Sequence, residues 1–250
     1  MKVQLIRHAT LKINYKNRTF LVDPMFSIKS TLPAVANSAN EFRNPLVDLP
    51  VSVESILEGI DAVIISHLHR DHFDDAAIIH LPKEIQIICQ PEDEGKIREL
   101  QFTQVTPIEK SLKWNGIRIS RTKGEHGTGK IGEKMGPVSG FVLEGEGEKT
   151  LYLAGDTIWC NDVNEAILEY HPSVIILNGG EAQFLQGDPI TMGPKDISLV
   201  RESYSEASIV VVHMESWNHC LLTRKQLNEY IENKELSHIV VPMDGEILDY

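Results

Sequence analysis

Cysteine is scarce in this chain: Cys89, Cys160 and Cys220 are the only three among 250 residues. An odd set without close spacing argues against a disulfide framework. Long apolar runs are missing too, and with them any stretch able to cross a bilayer, so no membrane span is expected. Positive charge is in short supply. Twenty-four Lys and Arg against 36 Asp and Glu leave a net charge of −12. Phosphate backbones bind basic faces, so nucleic acid is not an expected partner. The opening MKVQLIRHATLKINY begins like a strand and has neither the apolar core nor the small-residue cleavage site of a signal peptide. A cytoplasmic location is the expectation. Internal repeats, low-complexity tracts and linkers are also lacking, which favours one domain over residues 1–250.

What is present is ordinary globular material, 42% hydrophobic and 24% charged, enough to build a core without staples. Short β-like runs recur: Val3 to Ile6, Thr19 to Val22, Ala62 to Ser66, Ile85 to Cys89, Ile117 to Thr122, Gly140 to Leu143, Thr150 to Leu153, Val174 to Leu177, Ser208 to His213 and His238 to Val241. Several are continuously apolar (AVIIS, IQIIC, VIIL, IVVV), the pattern of strands covered on both faces. Helical patterns fall between them, at Asp75 to Leu81, Asn161 to Tyr170, Pro194 to Ser203 and Thr223 to Asn233, the last with Thr223 as N-cap. Alternating strands and helices predict a layered α/β protein. The segments Ser27 to Pro50, Glu133 to Ser139 and Asn178 to Met192 are rich in glycine, proline and small polar residues. They read as loops, the place where specificity resides on a rigid scaffold.

Chemistry concentrates in IISHLHRDHFDD, Ile64 to Asp75. His67 follows a buried strand, and the space beyond strand tips is where α/β sheets bind ligands. His67 and His69 are two apart and point the same way in extended backbone, while Asp71 and His72 come as the chain turns toward a helix. Such convergence gathers a divalent cation, or two. His126 in GEHGTG, Asp156 in AGDT and His213 after IVVV are three further donors in strand-tip settings, and they supply the ligands that the first cluster lacks. Glu125, beside His126, should point away, as neighbouring side chains do in extended backbone.

These residues resemble the metallo-β-lactamase superfamily over most of the chain: SHLHRDH for the signature, EHG for the third histidine, LAGDT for the bridging aspartate and VVVHMES for the last histidine. The resemblance implies a four-layer αββα sandwich with the site at one sheet edge. It also implies that His67, His69 and His126 hold one metal, that Asp71, His72 and His213 hold a second, and that Asp156 bridges them. The opening IRHATLKINYKNRTFLVDPMFS is most similar to the branch containing L-ascorbate-6-phosphate lactonase and N-acyl-phosphatidylethanolamine-hydrolysing phospholipase D, with Arg7 where that branch carries glycine. The resemblance leaves room for a homo-oligomer.

The expected function is metal-dependent hydrolysis of a small-molecule lactone, amide or phosphodiester bond, a hydroxide bridging two cations being the nucleophile and Asp71 a catalytic ligand. Zinc suits the nitrogen-rich donor set best, and manganese, iron or nickel are compatible with it. His219 in ESWNHC is a second catalytic candidate, placed to donate a proton to the leaving group or to touch substrate. His8 in RHAT is either a support for the ligands or a turn residue. Asp23, Asp74 and Asp75 are candidates to fix imidazole tautomers. Cys220 and Trp217 read as packed, and His80, His171 and His238 carry no expected chemistry. Arg43, Lys130 and Lys134 could give an anionic substrate one or two contacts. Two other readings fit the same residues, a nuclease or phosphodiesterase and a metal-binding protein without catalysis.

Overall fold

The apolar runs form the centres of two seven-stranded sheets in the computed structural model, which describes residues 1–250. The first sheet contains β1 (Lys2–Arg7), β2 (Thr10–Tyr15), β3 (Arg18–Val22), β4 (Ala62–Ile65), β5 (Gln86–Cys89) and β6 (Val105–Pro107). The second contains β7 (Ser111–Trp114), β8 (Ile117–Lys123), β9 (Ser139–Gly145), β10 (Leu151–Leu153), β11 (Val174–Asn178), β12 (Ser208–Val212) and β13 (Ile239–Val240). The last strand, β14 (Ile247–Asp249), returns to pair antiparallel with β1 and closes that edge of the first sheet. Both sheets are mixed. In the first, β3, β4, β5 and β6 run parallel; in the second, β10, β11, β12 and β13 do.

Alternation along each buried strand explains why these runs are apolar throughout. Ile64 joins Val3, Ile13 and Phe20 in the core between the sheets, where it meets the layer of Phe141, Leu153, Ile176 and Val210. Its neighbours Val63 and Ile65 face the opposite way. There they pack with Ile56, Ala77 and Ile97 of helices α1 (Val53–Leu57), α2 (Asp75–His80) and α3 (Glu94–Glu99). The short α4 (Gly129–Met135) lies at one end of the sandwich. On the second sheet, Ile175, Leu177, Ile209 and Val211 pack with Val163, Ile197 and Leu227 of α5 (Asn161–Tyr170), α6 (Pro194–Ser203) and α7 (Arg224–Asn233). A helix layer, two sheets and a second helix layer result, which is the expected αββα sandwich. Each fully buried Val, Ile or Leu contributes roughly 1.5–3 kcal/mol of transfer free energy.

One expectation needs correction, and one strand is additional: the expected strand at Val3 to Ile6 is β1, and it continues through His8 and Ala9 into a hairpin with β2. The segment Glu133 to Ser139 is a loop only in part, because α4 covers its start and β9 its end. Ile131 and Met135, four apart on α4, pack beside Ile190 and Phe184. That contact outweighs the poor helix propensity of the glycines around them.

The long segment after β3 is irregular, as expected, but it is tied down at several points. Asp74, the N-cap of α2, accepts from Ala77 N at 2.8 Å and also from Phe26 N and Ser27 N at 3.1 and 2.7 Å. Asn44 and Asn218 are buried together, Asn44 Nδ2 donating to Asn218 Oδ1 at 2.9 Å and Asn218 N donating to Asn44 Oδ1 at 2.8 Å. Arg7 is wholly buried and donates to the carbonyls of Met25, Ser27 and Val47 at 3.0, 2.9 and 3.0 Å. Burial lowers its pKa to about 10, so it stays charged at neutral pH. Substituting Arg7→Met should strip these carbonyls of their donor and cost about 2–4 kcal/mol in urea unfolding, with new protease cleavage between residues 27 and 50. Unchanged stability and cleavage would show that the guanidinium is not the anchor.

Candidate metal centre

The two sheets present their strand tips at one edge of the sandwich. His67 lies two residues beyond β4, His126 three beyond β8, Asp156 three beyond β10, and His213 directly follows β12. His69, Asp71 and His72 sit in the turn before α2, where His72 N and Phe73 N both donate to the His69 carbonyl at 2.9 Å. Gly155 admits the bend that aims Asp156. Its φ is +72°, and a Cβ there would stand 2.6 Å from the Ser139 carbonyl oxygen.

The seven side chains His67, His69, Asp71, His72, His126, Asp156 and His213 converge. His67, His69 and His126 bring one ligand atom each within 4.8 Å of one another, and so do Asp71, His72 and His213 together with His8. His67 Nε2 lies 2.9 Å from His69 Nδ1, and His72 Nε2 lies 3.2 Å from His213 Nε2. Asp156 stands between the groups: Oδ2 is 3.2 Å from His72 Nε2 and 3.5 Å from His126 Nε2, while Oδ1 is 3.3 Å from His213 Nε2.

Partners outside the cluster set which nitrogen faces inward. His67 Nδ1 donates to Ser66 Oγ at 3.0 Å, His72 Nδ1 to Asp23 Oδ2 at 2.8 Å and His126 Nδ1 to the Ile190 carbonyl at 2.7 Å. Each bond leaves Nε2 for the centre, the usual arrangement around metal-ligating histidines. His213 Nδ1 faces Cys220 Sγ at 3.6 Å, so this cysteine does more than fill space. Asn178 Nδ2 donates to Asp156 Oδ1 at 2.7 Å. Asp23 also accepts from Ser66 N and Ser66 Oγ, both at 2.7 Å, and so braces two ligands at once. Of the three aspartates expected to fix tautomers, Asp23 does so, Asp74 holds the loop and the α2 terminus, and Asp75 is exposed.

The donor set fits divalent cations. Asp71 and Asp156 are buried, and imidazoles are the only ionisable groups paired with them; no Lys or Arg forms an ion pair with either. Burial opposes charge on both carboxyls, yet the surrounding histidines hold them well below the usual carboxylate range. At His72 burial opposes protonation, but Asp156, Asp23 and Asp71 outweigh it and raise the pKa to about 10. His213 shifts upward for the same reason, with Asp156 and Asp71 prevailing over burial. Burial pushes His67 well down.

His219 is buried next to the centre, its ring 6.3 Å from those of Phe184 and Trp217, with Nδ1 unpartnered. Burial depresses its pKa to about 4, so the ring is uncharged near neutrality. The other candidates lie elsewhere. Glu125 is exposed and groups with Cys160 and Asp162, while His80, His171 and His238 are exposed. Arg43 donates to the Ser30 and Thr31 carbonyls, and Lys130 and Lys134 are exposed on α4. Ser66, Asn178 and the Ile190 carbonyl were not anticipated. Asn178 ends a buried strand just as His67 follows one, a signal that applied to it equally.

The fold and this donor set define a metal-dependent hydrolase class. A model of the β-lactamase superfamily domain matches residues 18–214, and the chain belongs to the metallo-β-lactamase superfamily. It is 40% identical over 250 residues to the UPF0173 protein YddR of Bacillus subtilis, covering 98% of each chain. Among solved structures it is similar to one described as a possible metal-dependent hydrolase from Veillonella parvula, with 39% identity, TM-score 0.96 and coverage of 99% and 98% of the two chains. It is also similar to an isothiocyanate hydrolase from Delia radicum gut bacteria, with 37% identity, TM-score 0.96 and coverage of 100% and 99%.

Because His72 retains a proton up to about pH 10, a cation must displace it, and metal affinity should fall as pH drops below that value. Calorimetry of the chelator-stripped protein at pH 7 in buffers of differing ionisation enthalpy should show net release of about one or more protons. Buffer-independent heats would contradict this. Asp23→Asn should weaken metal binding by about 10- to 100-fold in competition with a chromophoric chelator. Wild-type affinity in that variant would remove Asp23 from the centre.

Proposed function

We propose that the chain is a dinuclear metal hydrolase of small uncharged electrophiles, with isothiocyanates as the substrate class. His67, His69 and His126 would hold one cation and Asp71, His72 and His213 the other, with the two oxygens of Asp156 shared between them. Zinc is the cation that the imidazole-rich set suits best, and manganese, iron or nickel are alternatives. When bound, such cations supply a water ionised near neutral pH and a Lewis-acid contact for a substrate heteroatom.

The observation that carries the substrate class is the wall beside the centre. Ile131, Met135 and Phe184 pack against a buried cluster that includes Ile190 and Trp217, and the Ile190 carbonyl holds His126. Met135 also lines a cavity of about 300 Å³ with His67 and His69, where Lys96 is the only Lys or Arg and is matched by Glu92 and Asp93. An approach of this kind suits a neutral, partly apolar molecule better than a phosphodiester. The similarity to an isothiocyanate hydrolase along the whole chain supports the same class.

The chemistry balances with water alone. Its oxygen bonds to the central carbon of R–N=C=S and a proton goes to nitrogen, giving a thiocarbamic acid. Rupture of the C–N bond, with the hydroxyl proton of that acid passing to nitrogen, then yields the amine and carbonyl sulfide. Asp71 acts here as a ligand, in keeping with its catalytic assignment. His219 is uncharged at working pH, so its contribution is a neutral hydrogen bond to the substrate rather than proton donation from an imidazolium.

Purified protein should consume phenethyl isothiocyanate with equimolar release of amine and carbonyl sulfide, and chelation should abolish turnover. A fully metallated protein that turns over no isothiocyanate but hydrolyses a lactone or bis-p-nitrophenyl phosphate would overturn the substrate class. His219→Ala should lower kcat/KM roughly 10- to 100-fold at unchanged metal content, the value of one hydrogen bond to a polarised group.

A further inference from the structure

Five of the seven donors have a partner outside the centre, in Ser66, Asp23, Ile190, Asn178 and Cys220, while His69 rests only against its fellow donor His67 and Asp71 remains to be accounted for. Asp71 sits in a turn, with His213 Nε2 at 3.7 Å and His72 Nε2 at 4.0 Å from its Oδ2, both of them donors to the same centre. One side chain lies within hydrogen-bonding distance of its carboxylate, and it is His8, whose Nε2 is 3.3 Å from Oδ2.

His8 is wholly buried at the tip of β1, in a left-handed conformation with φ of 61°. Its carbonyl accepts from His213 N at 2.9 Å, and its ring centroid stands 3.7 Å from that of His213. Nδ1 is buried and unpartnered, which fits a ring whose proton is on Nε2 and is given to Asp71. A carboxylate oxygen has lone pairs for both this hydrogen and a cation. We propose that His8 is a positioning residue for the second cation: it fixes Asp71 Oδ2 through one hydrogen bond and aligns His213 through its carbonyl and its ring face. A tip of the first sheet is thereby locked to a tip of the second. This rests on the reading that Asp71, His72 and His213 hold a cation together.

The test is cobalt(II) titration of the chelator-stripped protein, read by visible absorption and by bound stoichiometry, with far-UV circular dichroism and Tm of the metal-free form as folding controls. His8→Asn keeps a residue tolerated at positive φ but is too short to reach Asp71. His8→Gln keeps an N–H donor of greater reach and is a poor metal ligand. The expected result is two equivalents in the wild type, a second equivalent weakened about 10- to 100-fold in the Asn variant with the first unchanged, and recovery to within a few-fold in the Gln variant. Three results overturn the proposal: wild-type binding in the Asn variant, equal weakening of both equivalents, or a Gln variant as weak as Asn, which would make His8 a ligand itself. A wild type that takes up only one equivalent would instead refute the underlying dinuclear reading. A folding control that fails for Asn but passes for Gln leaves the Gln titration to decide, since full second-site affinity there supports positioning and its loss refutes it.

Discussion

Two carboxylates and a ring of imidazoles are buried together at one edge of the sandwich without a single lysine or arginine to neutralise them. Like charges or facing lone pairs 3–4 Å apart are costly in a protein interior, where a unit-charge pair at about 4 Å is worth roughly 4 kcal/mol at an effective dielectric of 20. A divalent cation at this place would reverse the sign of that cost. Without one the cluster balances itself with protons, which is why burial fails to keep His72 neutral and its pKa reaches about 10. Proton and cation therefore compete for one set of lone pairs.

Holding donors in so unfavourable an arrangement takes rigid supports, and the strand tips provide them. His8, Asp23 and His213 have φ of 61°, 44° and 67°, left-handed values that non-glycine residues adopt at a cost of roughly 1–2 kcal/mol each. The benefit is geometric. A strand that ends in a left-handed residue turns its last side chain across the sheet edge instead of above or below it. The strands behind these residues supply the compensation: β1, β3 and β12 are buried along most of their length, and each buried apolar side chain outweighs one such strained residue.

The parts of the site legible in the sequence are those whose chemistry and position coincide. His67, Asp156 and His213 are reactive side chains placed directly after apolar runs, and the HLHRDH spacing is dense enough to stand out from ordinary loop histidines. A layered α/β protein was legible from the alternation of doubly covered strands and helices, whereas the αββα order came from the family resemblance, because periodicity alone could not say which strands share a sheet. Less legible were the supports, because supporting groups are chemically ordinary. Ser66 and Asn178 are common polar residues, and the Ile190 carbonyl is backbone. Cys220 touches His213 across a turn that no local pattern announces, and α4 forms against its own glycines because Ile131 and Met135 find apolar partners brought from distant segments. His8 stood undecided for the same reason. Its neighbours in the chain are a buried arginine and an alanine, while the residues that give it a role lie 63 and 205 positions away, at Asp71 and His213.

Arg7 and His8 are adjacent and do opposite things, which bears on how the site is enclosed. The side chain of Arg7 reaches outward along the long segment and gathers its carbonyls at Met25, Ser27 and Val47, whereas His8 turns inward to Asp71. Asp74 performs a similar double duty on the far side, capping α2 while holding Phe26 and Ser27. The segment from 27 to 50 is thus fastened beside His8 and beside the turn that holds His69, Asp71 and His72, and the Asn44–Asn218 pair fastens it to the stretch between His213 and His219. A loop secured at three points around the donor cluster does not behave as a free lid. It acts as a fixed wall, so the choice of substrate should be set by side chains on that wall and on α4 rather than by the motion of a flap.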